Sequence, residues 1–583
     1  MNTVKGDFVN NLGRVYAIYT GGFIGFVIVL AIMEQLGVPN QIIGYLFVFL
    51  TIAVYAIIGI IARTTQISEY YVAGRRVPAF YNGMATGADW MSGASFVGMA
   101  GTLFLLGYDG LAFVLGWTGG YVLVAILLAP YLRKFGAYTV PDFLAVRFGG
   151  NLARACGILV LFSCSFTYVT AQIYATGIIT SRFLGLSFEV AVYAGLVGIL
   201  LCSMLGGMRA VTWTQVAQYI ILIIAYLVPV VILSTQITGV PIPQVMYGQI
   251  LQEIAALEPT LGITKAHVMP FVNYDMLNYF ALIFCLMVGT ASLPHILMRY
   301  FTTPSVREAR VSVAWSLLFI FLLYFTAPAY AAFAKYEVLT NVIGQPIASL
   351  PGWVRAWGDI GLVTVKDLNM DGILQWAELT INTDVIVLAT PEIAGLPYVI
   401  AGLVAAGGLA AALSTADGLL LAIANALSHD IYYKMIDPKA DAKRRLVVAR
   451  VLLFLVAAVA AWLASTKPSD ILSMVAWAFS IAASGLFAPL VLGVWWKRTT
   501  AMGAVLGMLS GFGICMFYLI GNRYFGMAEW FGVKNISAGL FGIPVSFAVT
   551  WVVSLMTTAP SQEMQDFVDR IRQPKGGPMV EQT

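Results

Sequence analysis

The feature that most limits what this chain can become is a series of apolar blocks, each about 20 residues long, the length that carries a helix across ~30 Å of hydrocarbon. They fall near 15–35, 41–62, 80–106, 111–130, 152–180, 189–206, 213–236, 277–298, 312–334, 397–426, 446–464, 470–492, 500–520 and 538–557, which predicts fourteen transmembrane helices. Of the 583 residues 60% are hydrophobic and 10% charged, whereas soluble domains carry roughly a quarter charged residues. The first block ends in Met33-Glu34-Gln35-Leu36 with no small-residue cleavage site, so it is read as a retained helix rather than a signal peptide.

An even number of spans puts both termini on one side. The segments of that side hold 24 of the 32 Lys and Arg, among them Arg75, Arg76, Arg133, Lys134, Arg307 and the stretch from Lys434 to Arg450. The positive-inside rule makes that side cytoplasmic, and the expected location is a bacterial inner membrane. Cys156, Cys164, Cys202, Cys285 and Cys515 all lie within predicted helices, which argues against an extracellular disulfide framework. His267, His295 and His429 are too few and scattered for paired haem ligation, which counts against a membrane redox enzyme. Neither a soluble catalytic domain nor a nucleic-acid partner is expected, and the chain is not read as an enzyme.

Two of the helices look interrupted. Asn82-Gly-Met-Ala-Thr-Gly-Ala-Asp-Trp-Met-Ser-Gly93 and Gly289-Thr-Ala-Ser-Leu-Pro294 place small and polar residues inside apolar spans. A Gly-rich packing face would use the same residues. The two segments sit five helices apart, an odd number that inverts orientation, and paired interruptions of this kind mark the binding site of inverted-repeat transporters. Only two acids lie deep in the spans, Asp89 and Asp417, and a buried carboxylate requires a cation, a proton or donors. Ser414 and Thr415, just before Asp417, offer hydroxyl oxygens, although on composition alone routine back-bonding to a carbonyl one turn earlier is the better explanation.

Five stretches carry a family resemblance: Glu69-Tyr-Tyr-Val-Ala-Gly-Arg75, Gly87-Ala-Asp-Trp-Met-Ser-Gly93, Gly206-Gly-Met-Arg-Ala-Val-Thr-Trp-Thr-Gln215, Pro294-His-Ile-Leu-Met-Arg299 and Ala411-Ala-Leu-Ser-Thr415. In this order they closely resemble the sodium:solute symporter family. Leu413-Ser-Thr-Ala-Asp-Gly-Leu-Leu-Leu421 and Ala426-Leu-Ser-His-Asp-Ile-Tyr-Tyr-Lys434 are most similar to its bacterial acetate and short-chain monocarboxylate permeases. The resemblance implies an all-α membrane protein of LeuT type with two inverted five-helix repeats. The division is then 1–79 (two helices and a cytoplasmic loop), 80–236 (first repeat), 237–276 (periplasmic loop), 277–492 (second repeat, with a periplasmic loop at 335–396), 493–559 (two helices) and 560–583 (cytoplasmic tail). It also implies a sodium ion held by the carbonyls of Ala88, Met91 and Ala411 and the hydroxyls of Ser414 and Thr415.

Some relatives place an acid where this chain has Gln215, so Asp89 and Asp417 become the candidates for a second ion or a proton. The solute is expected between the breaks, near Trp90, Gln172, Thr290 and Ser292, where half-helix N-termini suit a carboxylate. Packing alone would also explain Trp90, and helix bridging would explain Gln172. His295 and Arg299 are read as structural. The extra first helix is a departure from many relatives and could seat a small accessory membrane subunit.

The loop at 335–396 contains Asp367-Leu-Asn369-Met-Asp371-Gly372-Ile373-Leu-Gln375-Trp-Ala-Glu378. Oxygens at positions 1, 3, 5 and 12 and glycine at 6 match the EF-hand calcium loop, with Asp367, Asn369, Asp371, Glu378 and the carbonyl of Ile373 as ligands. A chance match in a polar loop is the rival reading. Together these features predict a sodium-coupled symporter that imports a small organic anion such as acetate, lactate or pyruvate. The alternative is a transporter-like solute sensor without net transport, although the tail after Pro560 is short for a signalling domain.

Overall fold

The computed structural model describes residues 11–204, 206–573 and 579. Its long helices are α1 (Leu12–Gln35), α2 (Asn40–Ile61), α3 (Ala79–Trp90), α4 (Met99–Leu106), α5 (Leu111–Leu123), α6 (Asn151–Leu184), α7 (Phe188–Ser203) and α8 (Gly207–Thr238). There follow α9 (Pro243–Thr260), α10 (Met276–Thr290), α11 (Pro294–Phe301), α12 (Val306–Asn341), α13 (Ile386–Ile393), α14 (Tyr398–Asn425), α15 (Ala442–Ser465), α16 (Ile471–Ala482), α17 (Ala501–Phe525) and α18 (Gly539–Met556). Side-chain caps start several of them: Asp275, Ser305, Asp441, Asp470 and Thr500 each accept a backbone N–H three residues on.

Among the described residues, twelve helical runs are long and apolar enough to cross a bilayer, rather than the fourteen expected. Two of the anticipated spans do not stand apart on this measure. The turn at Gly107–Gly110 is itself 3-10 helix, so Ala94–Phe135 forms one helical run of 42 residues. The sixth block forms only a short apolar helix, Phe188–Leu201.

Enclosure grades these helices. In the run Tyr398–Ile436, 94% of the apolar window is buried within the protein, against 17% for Leu12–Gln35. The helix bearing Ser414, Thr415 and Asp417 is therefore the centre, and α1 is a peripheral helix whose apolar side chains face outward. Small residues permit the central packing, since Gly402, Gly407, Ala405, Ala410 and Ala412 are all buried on α14.

The segment after α12 folds as a small cap. Trp353 and Trp357 are buried, and β1 (Val363–Val365) pairs antiparallel with β2 (Leu379–Ile381). At the far end of α14, Asp142, His429 and Asp430 converge. Arg154 bonds both acids and Arg445 donates to His429 Nδ1, so this trio already holds two cations and is a buried ion-pair network rather than a metal site.

Candidate functional site

The first break follows from two redirected hydrogen bonds. Met91 leaves the helical path (φ −75°, ψ 74°). In an unbroken helix Ser92 N would bond Ala88 O and Gly93 N would bond Asp89 O. Here Ser92 N donates to Trp90 O, and Gly93 N donates to Gln172 Oε1 at 2.8 Å. The carbonyls of Ala88 and Asp89 thus lose their helical donors, and α14 takes them up. Ser414 Oγ donates to Ala88 O at 2.7 Å and to Ala411 O at 2.9 Å, while Thr415 Oγ1 donates to Asp89 O at 2.8 Å. From α8, the Gln215 amide donates to Ser414 O at 2.7 Å.

Four of the five residues named from sequence for sodium, namely Ala88, Ala411, Ser414 and Thr415, therefore meet in one hydrogen-bonded cluster, with Met91 at the turn beside them. The Asp89 carbonyl joins them. It was missed because a backbone oxygen freed by a break leaves no mark in the side-chain pattern. A fully buried set of carbonyl and hydroxyl oxygens is hard-ligand chemistry, suited to an alkali cation.

The Asp89 side chain points elsewhere. Its Oδ2 accepts from Arg299 Nε at 2.8 Å, and both side chains are wholly buried. Arg299 also donates to Thr212 Oγ1 at 3.1 Å, and the Asn82 amide donates to Arg299 O at 3.2 Å. Arg299 is thus a tie between the two broken helices, and Asp89 already has a cation. Asp417 has none, since neither of its buried oxygens accepts a hydrogen bond.

At the second break α10 stops at Thr290, and Leu293 is extended (φ −69°, ψ 118°) ahead of Pro294, as a residue before proline prefers. Glycine is required here. A Cβ on Gly289 would lie 2.7 Å from Phe479 Cβ and from Phe479 O. Thr290 Oγ1 bonds back to Leu286 O, and Ser292 Oγ to Val288 O, so neither hydroxyl proton is free. Gln172 spends its oxygen on Gly93 N and leaves its amide Nε2 without an acceptor.

Trp90 packs edge-on against Tyr121 at 4.9 Å and against Phe479 at 5.6 Å. Phe479 meets Tyr168 at 5.8 Å, and Tyr168 meets His295 at 5.5 Å. The space between the breaks is thus walled by aromatic rings. Tyr121, Tyr168 and Phe479 were not singled out from sequence, because aromatic residues are frequent in every span.

In the cap, Asp367 Oδ2 accepts Gly372 N at 3.0 Å, Asn369 Oδ1 accepts Asp371 N, and Asp371 Oδ1 accepts Ile373 N. Gly372 has φ +72°. Leu374 is buried and pairs with the backbone of Gly344 and Gln345. Glu378 is buried, with Oε1 on Leu368 N and Oε2 on Gln375 N. The Ile373 N–H, then the Asn369 amide, hold the exposed Asp371 carboxyl below its ordinary range, so it stays ionised at neutral pH.

Comparison with known proteins agrees with this geometry. The chain is 44% identical to an uncharacterized symporter of Cupriavidus necator, over 98% of this chain and all of the relative. Its structure resembles that of a Na+-coupled sialic acid symporter solved substrate-bound and outward-open, with a TM-score of 0.66 at 17% identity, covering 89% of this chain and 99% of the other. That likeness gives the fold: an all-helical, multi-pass membrane protein built as sodium-coupled symporters are. The sequence profile of the sodium:solute symporter family matches residues 70–349 and 360–511, most of the chain, and the protein belongs to that family.

Proposed function

We propose that this member of the sodium:solute symporter family couples sodium to the transport of a small organic anion, a short-chain monocarboxylate such as acetate, lactate or pyruvate. The observation that carries the reading is the chemistry between the breaks. The one acid there, Asp89, is neutralised by Arg299, whereas the Gln172 amide and the His295 ring remain without partners. Unpartnered donors beside an acid that is already paired favour an acceptor-rich solute over an amine. Uptake of labelled acetate, lactate and pyruvate into proteoliposomes, with and without a sodium gradient, tests it. Competition by proline or glucose but by no carboxylate would overturn it. Binding without uptake would favour the sensor instead.

In this reading sodium sits among the oxygens of Ala88, Met91, Ala411, Ser414 and Thr415, with the Asp89 carbonyl adjacent. The ion draws the first break onto α14, and the solute then loads against an ordered turn. Asp417, two residues beyond Thr415 and without a counter-charge, takes the role of a second ion or proton site. The topology we infer has fourteen spans, two inverted repeats, cytoplasmic termini and placement in a bacterial inner membrane.

We also infer one calcium ion at 367–378 in the cap; the turn bonds of Asp367 and Asp371 and the buried Leu374 support the reading. The bound ion would take Asp367, Asn369, Asp371, Glu378 and the Ile373 carbonyl. Calcium at millimolar concentration is expected to raise the melting temperature, at the ~10⁻⁴–10⁻³ M affinity typical of extracellular modules. Asp371→Ala and Glu378→Gln should each abolish that rise and leave sodium dependence unchanged. A calcium effect of wild-type size in both variants would dismiss the site.

A further inference from the structure

Both ring nitrogens of His295 are buried, and neither has a hydrogen-bond partner. The residue is 1% exposed. A neutral imidazole carries one donor and one acceptor, and burial normally satisfies both. Of the polar groups at the breaks, Thr290 and Ser292 bond to their own helix, the Gln172 oxygen to Gly93 N, and Arg299 to Asp89 and Thr212, while Gln172 Nε2 and Arg299 Nη2 have no partner. Among the described residues, a histidine in this position makes no hydrogen bond. Metal ligation does not explain it either, since among the described residues it belongs to no cluster of three or more histidines, cysteines or acids.

Its location gives the purpose. His295 is the second residue of α11, directly after the second break, at the half-helix N-terminus whose dipole favours negative charge. Ring contacts connect it without a gap to Trp90 at the first break, through Tyr168 and Phe479. Arg299, one turn further along α11, has its charge answered by Asp89.

We propose that His295 is the specificity-determining residue of the solute site, an imidazole N–H donating to a carboxylate oxygen of the transported anion. This rests on the anion reading above. The acceptor strength of a carboxylate favours the ring as donor, and a solute lacking that oxygen would leave the nitrogen unpaired, which makes the residue selective as well as attractive.

The test pairs His295→Phe, which keeps a planar ring and removes both nitrogens, with His295→Gln, which restores an N–H donor. In proteoliposomes His295→Phe is expected to raise the KM for the carboxylate that wild type takes up best by at least tenfold. Half-saturating sodium, at saturating solute, should stay within twofold of wild type. His295→Gln should recover most of the loss. Without solute, His295→Phe should melt no lower than wild type, because no bond is removed. An unchanged KM in His295→Phe would overturn the assignment, and so would a fall in melting temperature that His295→Gln does not reverse. If wild type takes up no carboxylate at all, it is the anion reading that fails.

Discussion

Ser414→Ala is expected to raise the sodium concentration for half-maximal uptake by about tenfold to a hundredfold, with Thr415→Ala close behind. Each hydroxyl lies on a carbonyl that the first break has freed, Ser414 on Ala88 O and Thr415 on Asp89 O. A ligand oxygen on a charged group is worth about 1.5–3 kcal/mol, and each 1.4 kcal/mol is a factor of about ten. Ser414 should give the larger effect, since its hydroxyl also reaches Ala411 O. Both side chains are small and buried at a glycine- and alanine-rich helix, so alanine fits without a clash. The effect should appear in sodium dependence before solute affinity at saturating sodium. The check is sodium-dependent uptake into proteoliposomes for each variant. Wild-type sodium dependence in both would remove the ion from this position.

The apolar blocks made the helices legible, because a membrane imposes length and composition on every span. Their count was less so. The sequence reading separated the third and fourth spans at Gly107, where the backbone does leave the helical region (φ 57°, ψ −128°), but the 3-10 turn that follows joins the two helices with no polar gap for hydropathy to register. Both breaks were visible as small and polar residues in apolar surroundings, and the hydroxyls of Ser414 and Thr415 were singled out before their bonds to the first of them were seen. What could not be read were relations between distant helices. The capture of Gly93 N by Gln172 joins residues 79 positions apart, and the Asp89–Arg299 pair spans 210. The same limit explains His295: one histidine in an apolar helix gives no sign of whether its nitrogens will find partners.

Those long-range bonds also indicate which parts move together. The inner half of the first broken helix, α3, is bound to α11 through Asp89–Arg299 and through Asn82 on the Arg299 carbonyl. Among the described residues, the hydrogen bonds from its break to α14 are those of the two hydroxyls proposed for sodium. The first connection is charged and independent of the ion. The second is the one that ion loss would weaken, so release of sodium would free α3 and α11 from α14 as a unit.

Arg299→Gln is therefore expected to destabilise the protein severely. Removing one partner of a buried pair leaves an uncompensated charge and costs about 3–5 kcal/mol. With both side chains wholly buried and joined at 2.8 Å, neither charge has water to fall back on. The Arg299 variant also loses the bond to Thr212. The measurement is the melting temperature and monodisperse yield of Asp89→Asn, Arg299→Gln and the double variant in one detergent. Both single variants should lose most of their folded material, and the double should regain more than half of that loss, since no buried charge remains. The double variant should nevertheless transport poorly, because the charged tie between α3 and α11 is gone while the sodium ligands are intact. If Arg299→Gln melted with wild type, or if the double variant were as unstable as the sum of the singles, the pair would not be what holds the two broken helices together.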